Sequence, residues 1–453
     1  MRHHSIICRL GVADNAQLAL VRADTISTEL SFVEGQRRLG YGLGQALDQL
    51  HYLGLEPSER AIDLALLAAA VTAADTRISR VTESQDGWTR EINLYLPVSD
   101  PALWTGLAPL IRTTLDFLTG DRWGLVFRPR LAAFATLAGG SGRLRTVQPD
   151  GVCLFSGGLD SFIGAIDLFA RGANPMLVSH YWDGITSKHQ TYCADVVRRT
   201  FPRVSIQHVR ARVGFPNDIV AQSPAENTLR GRSFLFFALA SLAASAIGGP
   251  VTVHVPENGL ISLNVPLDSL RLGALSTRTT HPFFMARFGD ILRGLGLDVT
   301  LDNAHRHQTK GEMVQACQDQ ALLRREAKNT MSCSSPAKAR WAGREPMHCG
   351  HCVPCLIRRA SLEAGFGADD TVYAIPDLRA RTLNTTRAEG EHVRSFQVAL
   401  ARLASKPRRA RLDIHRPGPL IDHLHELPAY ERVYVEGLRE VGRLLQGVRA
   451  RPL

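Results

Sequence analysis

The chain has 453 residues, 45% of them apolar, and its 53 Lys and Arg against 43 Asp and Glu leave a formal charge of +10. That length exceeds one ordinary hydrophobic core, so two or three domains are expected. No run reaches the roughly 18–20 apolar residues of a membrane span, and the opening Met1-Arg2-His3-His4 starts no signal-peptide pattern, so a cytoplasmic protein with no membrane contact is expected. The positive charge suits anionic small ligands and an Arg-rich surface, and a nucleic-acid partner stays open. Only five lysines occur, Lys188, Lys310, Lys328, Lys338 and Lys406. An ammonium is a compact point charge suited to phosphate oxygens, whereas guanidinium is a planar fork.

In chain order, residues 61–74 are good helix formers, and residues 89–97 alternate polar and apolar as a half-buried strand does. Residues 103–118 read as a helix and residues 123–128 as a strand. Residues 1–143 are therefore expected to form an α+β accessory or partner-binding domain without a catalytic constellation. The run Ala138-Gly139-Gly140-Ser141-Gly142 marks a boundary.

Beyond it, residues 152–155, 175–179, 204–209 and 251–255 read as short strands. They alternate with helices at 162–170, near 192–200, and at 233–247, the last apolar enough to be buried. Such alternation predicts an α/β fold for residues 144–368, a parallel sheet with helices on both faces. From about Asp369 the composition turns to Pro, Arg and His, and residues 369–453 read as a basic helical extension ending in a helix at 427–445. Its basic knot, Lys406-Pro407-Arg408-Arg409 with Arg411, reads as a solvated face or as a contact for phosphates or an acidic partner.

Two motifs carry chemistry. Ser156-Gly157-Gly158-Leu159-Asp160-Ser161 sits where an apolar strand turns into a helix. Paired glycines let backbone approach a ligand, and amides at a helix N-terminus favour an anion. Ser156 and Ser161 add hydroxyl donors, and Asp160 suits a divalent cation or the orientation of the loop. The second motif is C-x15-C-x2-C-x2-C, formed by Cys333, Cys349, Cys352 and Cys355. Four thiolates at that spacing suit structural Zn2+, with an iron–sulfur cluster or unligated thiols as alternatives.

The strand–SGGxDS–helix unit resembles the PP-loop ATP pyrophosphatases, with their adenine nucleotide α-hydrolase-like sheet. Together with CGxCxxCxxR, read here from Cys349 to Arg358, it is similar to the QueC family of 7-cyano-7-deazaguanine synthases. The resemblance covers roughly residues 150–366. His180-Tyr181-Trp182-Asp183-Gly184 with Lys188-His189-Gln190 looks like the family's DYGQRH segment, Arg230-Gly231-Arg232-Ser233 like its GRN element, and Thr309-Lys310-Gly311-Glu312 like its D/T-K-x-E element. It implies binding of ATP with Mg2+, adenylation of a 7-deazaguanine carboxylate, and C–N bond formation. It assigns Asp160, Lys310 and Arg232 to catalysis, residues 156–161 to the nucleotide, and Tyr181, Lys188, Glu257 and Glu312 to the substrate side. The two flanking segments resemble those of QatC-type, QueC-like proteins of bacterial anti-phage systems, which implies other proteins of the same operon as partners and an amine on one of them as acceptor. Two other readings remain: a tRNA-modifying thiolase that uses the basic tail, and an ATP-binding regulatory subunit without turnover.

Overall fold

The computed structural model describes residues 2–35, 38–140, 142–226, 228–268 and 278–453; Ser141 of the expected linker lies outside them. The N-terminal segment holds β1 (His3–Arg9), β2 (Thr25–Ser31), β3 (Glu91–Val98) and β4 (Arg122–Pro129) in the order β2-β1-β3-β4, with every pairing parallel. The expected α+β segment is therefore a parallel α/β sheet. The helices Glu59–Arg77 and Pro101–Thr119 supply long crossovers, which parallel neighbours require.

The second sheet contains β5 (Gly151–Leu154), β6 (Pro175–His180), β7 (His208–Ala211), β8 (Val251–His254) and β9 (Val299–Asp302) in the order β7-β6-β5-β8-β9, again all parallel. The strand expected at 204–209 is shifted to β7, because residues 201–206 close a turn after the preceding helix. The chain runs outward from β5 to β6 and β7, then returns to β8 on the other side of β5. Loops leaving β5 and β8 diverge at this reversal and open a crevice beyond the carboxyl ends of the strands.

Two helices lie between the sheets. Glu59–Arg77 packs on β1 and β3, Arg232–Ile247 packs on β5, β6 and β8, and the two helices pack on each other. Both are apolar on nearly every face, as burial on all sides demands. One apolar cluster accordingly runs from Ile6 through Phe234 and Phe237 to Leu297. The glycine-rich stretch at 138–142 breaks the sequence pattern while the packing continues across it.

The C-terminal extension is also packed. Val393 and Phe396 of the helix Ala388–Ser405 and Val433, Leu438 and Val441 of the helix Leu427–Leu444 share a core with Leu260, Leu356 and Ile357. Lys406, Arg408, Arg409 and Arg411 lie on the solvent side. Among the described residues no helix is long and apolar enough to cross a membrane.

Candidate nucleotide cleft and metal centre

The loop after β5 begins at Ser156 and enters the helix Leu159–Ala170 through Gly158. Gly157 has φ +76°, and a Cβ there would stand 2.9 Å from the Gln190 amide nitrogen, so only glycine fits. Ser156 Oγ lies 3.1 Å from Ser161 Oγ and accepts from the Gly158 N–H at 3.3 Å. The loop borders a cleft of about 580 Å³ with Trp182, Arg232, Glu257, Lys310, Ser332 and Cys333 among its other walls.

Asp160 and Lys310 are both buried, and Lys310 Nζ reaches Asp160 Oδ1 at 3.0 Å without hydrogen-bond alignment. The Asn258 side chain donates to Asp160 Oδ2 at 2.8 Å and to Glu257 Oε1 at 3.2 Å. Burial alone would raise the Asp160 pKa, but the Lys310 ammonium, Glu257 and Asn258 together hold it below the usual carboxylate range. Burial and the Asp160 charge push Glu257 the other way, well above that range. Of the two carboxyls, Glu257 is therefore the one that keeps its proton to higher pH. The Arg232 guanidinium lies 4.9 Å from the centre of the Trp182 ring.

Of the residues expected on the substrate side, only Glu257 lines this cleft. The Tyr181 ring lies under Arg210 at 4.9 Å, with its hydroxyl 3.5 Å from Gln45 Nε2. Lys188 is exposed on the helix Gly184–Thr200. Glu312 completes a capping box with Thr309 and pairs with Arg432 at 2.6 Å. Its local role is to start the helix that presents Lys310.

The four cysteine sulfurs lie within 4.8 Å of one another, with Cys333–Cys352 and Cys349–Cys355 each at 3.9 Å. A disulfide needs about 2.05 Å, whereas a tetrahedron with Zn–S near ~2.3 Å has edges of about 3.8 Å. This cage fits a metal such as Zn2+. Backbone N–H groups of Ser335, Cys349 and Cys352 point at its sulfurs from 3.3–3.4 Å, as suits thiolates. Gly350, at φ +85°, makes the knuckle turn.

Several residues tie the cage to the Ser156–Ser161 loop. The Met331 N–H donates to Gly157 O at 2.9 Å, and the Leu159 N–H donates to Ser332 Oγ at 3.3 Å. His348 Nε2 accepts from the Ser332 N–H at 3.3 Å, and burial pushes this imidazole down to about 2, so it stays neutral. Fully buried Arg358 donates to Thr330 Oγ1 at 2.7 Å and to Ala327 O, which fixes the segment before Met331.

Met331 and Ser332 were not singled out by sequence reasoning, and Trp182 and Asn258 were given no role of their own. Position relative to Glu257 and Cys333 was the only available signal for Asn258 and Ser332. The opposite side of the cleft leans on the N-terminal segment. Asp75 Oδ2 accepts from the Gly231 N–H at 2.7 Å, just before Arg232. Asp75 also belongs to a buried ion cluster with Arg80, Arg90 and Asp121.

No family model matches this chain, and no curated protein matches it.

Proposed function

We propose that the cleft is a PP-loop-type site that binds ATP and activates a carboxylate as its adenylate. The observation that carries this reading is convergence. The Ser156–Ser161 loop, Arg232, Lys310 and an acidic pair meet at the sheet's reversal point, and a thiolate cage braces the same loop. In this reading loop amides and the serine hydroxyls hold the pyrophosphate at the helix N-terminus. A carboxylate oxygen attacks the α-phosphorus, and the bond to the bridging oxygen breaks. Pyrophosphate leaves with the electron pair while Lys310 and Arg232 offset its charge. An amine nitrogen then attacks the acyl carbon, loses a proton, and AMP departs.

The acidic pair beside the loop is the donor set a divalent cation would use. Asp160 and Glu257 would hold it, and it would neutralise charge on the phosphates. The same positive charge would lower the Glu257 pKa, leaving a carboxylate able to accept from a guanine-like edge.

The resemblance to QueC-type enzymes makes a 7-deazaguanine carboxylate the first substrate to test, with ammonia or an amine of a partner protein as acceptor. Purified protein with ATP, Mg2+ and 7-carboxy-7-deazaguanine should release AMP and pyrophosphate. ADP and phosphate, or no turnover with any acceptor, would overturn the reading. Addition of operon neighbours should place a base-sized mass on one of them if the acceptor is a protein, as in the QatC-type setting. Thiolation is less well supported: Cys333, Cys349, Cys352 and Cys355 are drawn into the cage, and Cys8, Cys153, Cys193 and Cys317 are buried, which disfavours an accessible persulfide.

A further inference from the structure

The helix that carries Lys310, Lys310–Ala316, does not rest on the nucleotide-binding sheet alone. The C-terminal helix Leu427–Leu444 lies against it and contacts its first turn at two places. Arg432 pairs with Glu312 at 2.6 Å and donates to His307 O. Eight residues later, two helical turns along the same face, the buried carboxylate of Glu440 accepts from Thr309 Oγ1 and from the Gly311 N–H at 3.3 Å. Thr309 and Gly311 flank Lys310 directly. Contact is close enough that a Cβ on Gly311 would stand 2.5 Å from Glu440 Oε1, so glycine makes room for the carboxylate.

We infer that Glu440 is a positioning residue: by gripping Thr309 and Gly311, the C-terminal extension sets the height from which Lys310 reaches Asp160 and the cleft. This inference rests on the proposed nucleotide reading only for its effect on turnover. Three features argue that the grip is specific. The Glu440 carboxylate has no lysine or arginine within ion-pair distance among the described residues. It is buried against the first turn of the helix that carries Lys310. Its two donors bracket the one lysine that lines the cleft.

The test compares Glu440→Ala, Glu440→Gln and the Arg432→Ala control in the full chain. Acetylation by an N-hydroxysuccinimide ester, read by peptide mass spectrometry, reports Lys310, with Lys188, Lys328, Lys338 and Lys406 as internal references. In wild type Lys310 should be protected by its burial and by Asp160. Glu440→Ala should speed its acetylation about tenfold relative to Lys188, while Glu440→Gln, which keeps an acceptor for Gly311, should remain within about threefold. For AMP formation, Glu440→Ala should lower kcat by about ten- to a hundredfold, as small misplacements of a charge-stabilising group do, with partial rescue in Glu440→Gln. Unchanged Lys310 protection in Glu440→Ala overturns the inference whatever the turnover. Loss of protection in a protein that makes no AMP even as wild type leaves the grip standing and sinks the nucleotide reading. If Glu440→Ala does not fold, Glu440→Asp, which retracts the carboxylate by one methylene, is read by the same criteria.

Discussion

On the proposed reading, removing the metal from the cysteine cage should disarm the Ser156–Ser161 loop from a distance. The cage is linked to that loop by two hydrogen bonds, Met331 N–H to Gly157 O at 2.9 Å and Leu159 N–H to Ser332 Oγ at 3.3 Å, both just before the ligand Cys333. At about 1 kcal/mol each, their loss is about 2 kcal/mol, or roughly a thirtyfold drop in ATP affinity. Structural zinc contributes on the order of 10–16 kcal/mol to small metal-folded peptides, so an apo protein would also lose part of its C-terminal packing. The variant Ser332→Ala separates the two effects. It should keep one zinc per chain and its folding midpoint, yet bind ATP about fivefold more weakly, for about 1 kcal/mol. Zinc would be measured by elemental mass spectrometry and ATP affinity by titration calorimetry. Wild-type ATP affinity in a folded, zinc-free protein would refute the coupling. So would wild-type affinity in Ser332→Ala.

Other outcomes follow from the buried charges. Asp160→Asn should abolish AMP formation but cost less stability than an orphaned buried lysine, because Glu257 can release its proton and pair with Lys310. Adding Glu257→Gln should then expose the full loss of about 3–5 kcal/mol, and additive single and double variants in urea unfolding would contradict this. Glu257→Gln alone should stabilise the protein at neutral pH and not in acid. The folded pKa lies above the unfolded value of about 4.5, so the native state binds more protons above that pH, and wild-type stability falls as pH rises through the window, by up to about 1.4 kcal/mol per unit. A Glu257→Gln advantage that is equal at pH 4 and pH 7 would exclude this account. Asp75→Ala should cost about 3–5 kcal/mol by leaving Arg80 and Arg90 with one carboxylate and the Gly231 N–H unpaired. A loss under about 1 kcal/mol in the same unfolding assay would mean that the cluster is not a support for Arg232.

Local chemistry was legible in the chain wherever neighbours in sequence act together. Paired glycines at 157–158 announce a tight backbone, and two CxxC steps sharing Cys352 announce a thiolate knuckle. The apolar helix at 233–247 announced its own burial, because no amphipathic face was present to meet water. Each of these signals is short in range and needs no partner to be recognised.

What sequence could not reach is which distant residues meet. Strand pairing in the N-terminal sheet is decided by crossover connections, so a parallel α/β arrangement stood where an α+β one was expected. Tyr181 and Lys188 follow β6 in sequence, but one turns onto Gln45 and the other into solvent, because the direction of a side chain after a strand depends on what the next element packs against. Glu312 looked like a substrate group and is an N-terminal cap held by Arg432. The link between cage and loop, the Asp160–Lys310 pair and the Glu440 grip join residues 129 to 174 positions apart. Sequence determined the reactive groups and the local turns that present them. Tertiary structure alone decided which of them share one low-dielectric cleft, since burial and proximity set their charges, and neither is a property of the linear chain.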